Sequence, residues 1–145
     1  MSRAAPVSFI VMKISEILKQ DRLLLSFEVF PPKSDYAFES VKDAVRKVAT
    51  LRPAFMSVTY GAGGGTSEYT LDIAREINER FSVPSIAHLT CVASDRDTVR
   101  KRISAIKDAG IENIMALRGD LTPELEKSDR SHWEYRHAVD RSPFR

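Results

Sequence analysis

"AFMSVTYGAGGGTSEYTLDIAREINERF", residues 54–81, joins a largely apolar run, a glycine-rich turn and an amphipathic stretch. Ala54–Tyr60 is rich in β-branched and aromatic residues, the composition of a buried strand. Ile73, Ala74, Ile77 and Phe81 recur at helical spacing and share one face. Thr66 can cap that helix, and Glu68 complements its N-terminal dipole. Between strand and helix, Gly61, Gly63, Gly64 and Gly65 account for four of the chain's six glycines. Such a loop brings backbone close to a ligand, yet it has no Gly-Lys-Ser/Thr, and Thr66 stands where a dinucleotide fingerprint needs its third glycine.

The same unit repeats on either side. Upstream, "RLLLSFEVF" (22–30) reads as a buried strand stopped by Pro31-Pro32. "SDYAFESVKDAVRKVATL" follows as a helix, capped by Ser34 or Asp35, with Phe38, Val41, Val45 and Val48 as its apolar stripe. Downstream, "PSIAHLTCV" is a third strand and "SDRDTVRKRISAIKDAG" a third helix, with Ser94 as cap and Gly110 as stop. "IENIMALRGD" is a fourth strand, and "DRSHWEYRHAVD" reads as the start of a fourth helix. Strands alternating with helices at this pace predict βαβ units and a parallel sheet, an α/β fold. A short amphipathic helix, "KISEILKQD", precedes them.

Composition narrows the function. The 145 residues carry 43% apolar and 29% charged side chains and a net charge of +2, which describes one globular domain. That charge is too small to argue for nucleic acid or an anionic membrane surface. No apolar stretch is long enough to span a bilayer. Cys91, the single cysteine, excludes an internal disulfide and a cysteine-rich zinc site; in its apolar run it reads as a buried, inert thiol. The start lacks a clear cleavage site, and a cytoplasmic protein is expected. Met12 can serve as a start, which would make the first eleven residues a disordered extension; residues 1–12 read as disordered ahead of a domain covering 13–145.

Polar residues gather near the carboxyl ends of the four strands: Glu28; Thr59 and Tyr60; His88 and Thr90; Arg118 and Asp120. In parallel α/β folds ligands bind at those ends, so the four groups should converge on one pocket. Glu28 shares a strand face with Leu24 and Ser26. Desolvation there favours the protonated form that a general acid requires, unless the carboxylate pairs with Lys33 or another residue at the mouth. From pattern alone His88 reads as a hydrogen-bonded core residue, and no second ligand at metal spacing accompanies it. His132 and His137 read as surface residues. "RGD" at 118–120 is either an Arg–Asp turn pair or a site that gives Arg118 to a phosphate, Gly119 to close backbone approach and Asp120 to a charged ligand group.

"SFEVFPPK", "VTYGAGGGTSEYT", "AHLTC" and "ALRGDLTPE", in this order and spacing, resemble the flavin-dependent methylenetetrahydrofolate reductases, over about residues 14–140. The resemblance implies a (β/α)8 TIM barrel that binds FAD at its strand ends, with NADH or NADPH as reductant and a folate substrate, 5,10-methylenetetrahydrofolate, reduced to 5-methyltetrahydrofolate. It implies Glu28 as general acid and Asp120 as the charge beside flavin and pterin. Thr59, Tyr60, Ala62, His88, Arg118, Gly119 and Asp120 then match cofactor-lining positions, which replaces the core reading of His88. No metal is implied. A complete barrel needs about 250 residues and eight strands; four βα units make a half barrel, and "RSPFR" reads as a truncated or frameshifted end. The alternative is a non-catalytic half barrel that self-associates or pairs with a partner chain. A flavodoxin-like open sheet would need a phosphate loop after the first strand, where Pro31-Pro32 stands.

Overall fold

The computed structural model describes residues 12–32, 34–60, 67–92, 94–121, 123–129 and 134–135. In chain order the elements are α1 (Ile14–Ile17), β1 (Ser26–Val29), α2 (Phe38–Ala49), β2 (Phe55–Val58), α3 (Ser67–Phe81), β3 (Ser85–Thr90), α4 (Arg96–Asp108), β4 (Asn113–Leu117) and α5 (Pro123–Glu126). The strands form one sheet in the order β1-β2-β3-β4, every pair parallel. This is the α/β arrangement that the alternation of strand and helix predicts.

Side-chain alternation divides the sheet into two faces. Met56, Val58, Ala87 and Leu89 point to the helices, where they join Val45, Ala49, Ile73, Ala74, Ile77, Val99 and Ile106 in one core. Ile73 and Ile77 are fully buried, and burying such a side chain contributes about 1.5–3 kcal/mol. The predicted α2 stripe holds: Val45 is buried, and Phe38, Val41 and Val48 pack against the core. Opposite the helices stand Glu28, Ser57, Ile86, His88 and Asn113, a mostly polar set. Here α1 covers the amino-terminal end of the sheet, its Ile14 N–H donating to Asn113 Oδ1 at 3.0 Å.

Helix ends follow the sequence in part. Gly110 adopts φ +72°. Its N–H donates to the Lys107 carbonyl at 2.9 Å and that of Ile111 to Ile106 at 3.2 Å, the paired bonds of a glycine-closed helix. Asp95, not Ser94, caps α4: its carboxylate accepts from Thr98 N–H at 2.7 Å, a bond that holds its pKa below the usual carboxylate value. The Ser94 hydroxyl instead accepts from Arg102 Nη1 at 2.8 Å. Neither Ser34 nor Asp35 caps α2, because a 3-10 turn, Asp35–Ala37, precedes it. Asp35 accepts from the Tyr69 hydroxyl on α3.

Two expectations need correction. The first strand is four residues long, not nine, and Leu23 is 97% exposed. β1 lies at an edge, and among the described residues no strand covers Leu23 and Leu25 on their open side. The segment 129–140 was expected to be helical, but at Asp129, Glu134 and Tyr135, its described residues, the backbone is not. Tyr135 instead packs into the core, and Glu134 accepts from Arg96 N–H at the start of α4. The expectations for residues 1–11 and for the glycines at 61–65 lie outside the described residues.

Gly119→Ala and Gly110→Ala separate two reasons for a glycine. Both place a Cβ on positive-φ backbone, which costs about 1–2 kcal/mol. At Gly119 the added carbon also meets Val92 Cγ1 at 2.8 Å and Thr90 Cβ at 3.0 Å, whereas at Gly110 it meets nothing within 4 Å. Urea unfolding should show the larger loss at Gly119. Equal losses would remove the packing role.

Candidate functional site

Glu28 and His88 come together at the carboxyl ends of the strands, on the face opposite the helices. Glu28 pairs in register with Ser57, and Ser57 with Ile86. His88 therefore stands one alternation further along β3, diagonally across β2 from Glu28. Ser57, in register with both Glu28 and Ile86, lies on the strand between them. Glu28 Oε1 lies 3.7 Å from His88 Nε2.

That distance is too long for a hydrogen bond, and Nε2 is buried with no partner among the described residues. The side-chain exposures differ: 6% for His88 and 48% for Glu28. Burial pushes the His88 pKa below its ordinary value, and the Glu28 carboxylate, pulling the other way, does not offset it. The imidazole is thus neutral at pH 7, and the pair is not an ion pair. An orphaned buried nitrogen forfeits about 1–3 kcal/mol, a deficit that a hydrogen-bonding ligand would remove. The desolvation expected at Glu28 is not supplied by burial, since an edge strand leaves the carboxylate open to water. Its ionisable partner among the described residues is the neutral His88; Lys33 lies outside the described residues.

Thr59 follows β2 beside His88, since Val58 pairs with Ala87. Its position is fixed by backbone: Thr59 N–H donates to the Val29 carbonyl at 2.9 Å, and its own carbonyl accepts from Thr70 Oγ1 at 2.9 Å. The buried Thr70 thus ties the first turn of α3 to the end of β2. Tyr60 takes the other face. Its ring lies 5.3 Å from the Arg102 guanidinium, and it lines a cavity of about 240 Å³ with His88, Leu71, Ala105 and Ile106. Tyr60 thus shares that cavity with His88, while Glu28 does not line it. Ala62 lies outside the described residues.

The fourth strand ends in a clasp. The Arg118 carbonyl accepts from Val92 N–H at 2.7 Å and Cys91 N–H at 3.1 Å, and Gly119 turns at φ +94° against Thr90 and Val92. The Arg118 guanidinium is exposed and donates to the Gly119 carbonyl at 3.2 Å. No ion pair joins it to Asp120 among the described residues, so the turn-pair reading of "RGD" fails, and both charges face solvent. Cys91 is buried as expected. Sequence reasoning missed Ser57, Thr70 and Arg102. Each had a signal: a small polar residue on the Glu28 face, a threonine at a core position of α3, and a cation eight residues after Ser94.

His88 gives the stability a pH signature. With its folded pKa below the ordinary value, the unfolded chain takes up the proton first as pH falls. The stability due to neutral His88 is complete above about 6.5 and is lost as pH drops through the lower folded value. His88→Gln should flatten the dependence of urea stability on pH below 6.5. An unchanged slope would place the titration elsewhere.

Among the described residues, no helix is long and apolar enough to cross a membrane. The sequence model of the family described as methylenetetrahydrofolate reductase matches residues 13–141. A 5,10-methylenetetrahydrofolate reductase from Pectobacterium carotovorum subsp. carotovorum is 38% identical over 110 residues, 76% of this chain and 37% of that protein. Methylenetetrahydrofolate reductase 2 of Schizosaccharomyces pombe is 34% identical over 138 residues, 89% of this chain and 21% of that protein. Methylenetetrahydrofolate reductase (NADH) 1 of Arabidopsis thaliana is 34% identical over 111 residues, 77% of this chain and 19% of that protein. The chain thus spans between a fifth and two fifths of the length of these relatives. With a match over nearly its whole length, and with Glu28 and His88 meeting at the ends of parallel strands, the chain belongs to the methylenetetrahydrofolate reductase family.

Proposed function

We propose that this chain is the N-terminal half of a (β/α)8 barrel that transfers a hydride from NADH or NADPH, through FAD, to 5,10-methylenetetrahydrofolate, giving 5-methyltetrahydrofolate. The convergence of Glu28 and His88 on the face opposite α2, α3 and α4 carries the reading. The four parallel strands supply half of the eight that such a barrel needs. What this half contributes is the acid and one wall of the cofactor site.

The residues present fit a flavin. His88 Nε2 is a buried hydrogen-bonding atom without a partner, and a ring system rich in donors and acceptors would satisfy it. Thr59, Tyr60, Ala62, His88, Arg118, Gly119 and Asp120 would hold FAD at the strand ends. When bound, FAD supplies the hydride-transfer chemistry.

The chain's own residues move the proton and set the charge. Glu28 is open to water on one side, so its carboxyl can be reprotonated between turnovers. From the neutral face beside His88 it gives a proton to a ring nitrogen of the folate, opening the five-membered ring to a cationic iminium. The unpaired carboxylate of Asp120 stabilises that cation. Arg118, tethered by its carbonyl and with an exposed guanidinium that donates to the Gly119 carbonyl, is placed to bind an anionic group of cofactor or substrate.

The test is a chimera that joins residues 13–120 of this chain to the remaining part of the Pectobacterium relative. It should reduce methylenetetrahydrofolate. With Glu28→Gln, folate reduction should fall by about 100-fold or more, the scale of general acid catalysis, while NAD(P)H oxidation by an artificial acceptor persists. Equal loss of both half-reactions would remove Glu28 from the acid role.

A further inference from the structure

Arg102 stands on α4, half-buried, and makes two contacts with one planar group. Its Nη1 donates to the Ser94 hydroxyl at 2.8 Å, and its guanidinium carbon lies 5.3 Å from the centre of the Tyr60 ring. That is within reach of the attraction between a cation and an aromatic face. Among the described residues no carboxylate forms an ion pair with Arg102. Glu68, the acid that lines the same cavity, does not pair with it either. The ring and the hydroxyl therefore hold the group.

The two contacts lead to two cofactor positions. On one side is Tyr60, whose hydroxyl is buried without a hydrogen-bond partner among the described residues. No polar bond fixes that ring. Its orientation in the cavity shared with His88 comes from the Arg102 contact and from packing on Leu71, Ala105 and Ile106. On the other side is the clasp at the end of β4. Ser94, held by Arg102, donates to the Val92 carbonyl at 3.4 Å. Val92 N–H in turn donates to the Arg118 carbonyl at 2.7 Å, and Val92 Cγ1 leaves Gly119 no room for a side chain.

We propose that Arg102 is a positioning residue of the cofactor site, setting the Tyr60 ring directly and the Arg118–Gly119 clasp through Ser94 and Val92. The proposal rests on the reductase reading above and adds a residue that lies outside the strand ends. A guanidinium suits the task because its edge can donate while its face stacks, which an ammonium cannot do at once. With ring and clasp set beforehand, less conformational freedom is lost when FAD arrives, and binding is tighter for it. Arg102 reaches the reacting atoms only through these neighbours, so it acts on affinity more than on the chemical step.

Two readouts test this, one of them without any cofactor. In the 145-residue chain with isotope-labelled tyrosine rings, Tyr60→Phe identifies the Tyr60 signals among those of the four tyrosines. Arg102→Met should move those signals toward the values of a free ring; unmoved signals would overturn the proposal. In the chimera with the Pectobacterium relative, Arg102→Met should raise the Kd for FAD about ten-fold, the scale of a partly desolvated cation–ring contact. The change in kcat at saturating FAD should be smaller. The effect on Kd should shrink in a Tyr60→Leu background, and Arg102→Lys should recover only part of the lost affinity. FAD binding indifferent to Arg102→Met, an undiminished effect in the Tyr60→Leu background, or full recovery by Arg102→Lys would each overturn the proposal and leave the reductase reading standing. A wild-type chimera that binds no FAD would overturn both.

Discussion

In β3 every group is committed in advance: Ala87 and Leu89 to the helix layer, Ile86 and His88 to the opposite face, and the backbone to β2 on one side and β4 on the other. A slip of one residue in either pairing would exchange those faces and place an imidazole among Ile73 and Ile77. The parallel register of the central strands therefore fixes the packing and the site at once. The apolar alternation holds β3 against α3, and the polar residues between them come out at its carboxyl end because nowhere else is left for them.

How much of this the sequence disclosed depends on whether the deciding force was local. The stripes of α2 and α3 and the closure at Gly110 follow from spacing and from one residue's conformational freedom, and they appear where spacing puts them. The α4 cap was misread by one position, because Ser94 and Asp95 both satisfy a cap's chemistry and only the Arg102 bond to Ser94 decides between them. The lengths of β1 and β4 depend on what lies across the open edge, which the pattern of a single strand does not contain. Leu23 and Leu25 read as buried for that reason.

The site was legible as a set of strand ends, not as a geometry. Alternation correctly sends Glu28 and His88 to one face. Their meeting reaches across the strand that carries Ser57, a three-strand property that no linear motif states. Tyr60, adjacent to Thr59 in sequence, goes to the far face by the same alternation, where it packs with Arg102 on α4. The family resemblance groups it with the cofactor positions, and the cavity it lines is shared with His88.

The clasp at the end of β4 has a further consequence. With two N–H groups on the Arg118 carbonyl and Gly119 wedged against Thr90 and Val92, the Cα of Arg118 is fixed while the four-bond arm beyond it is exposed. An arriving anion would be met by choosing among rotamers, with no rearrangement of the main chain. The entropy lost would be that of one arginine side chain, about 2 kcal/mol. Such a cation behaves as a pivoting arm on a rigid post: it can follow a charged group that shifts between one bound molecule and the next while the floor of the site stays still.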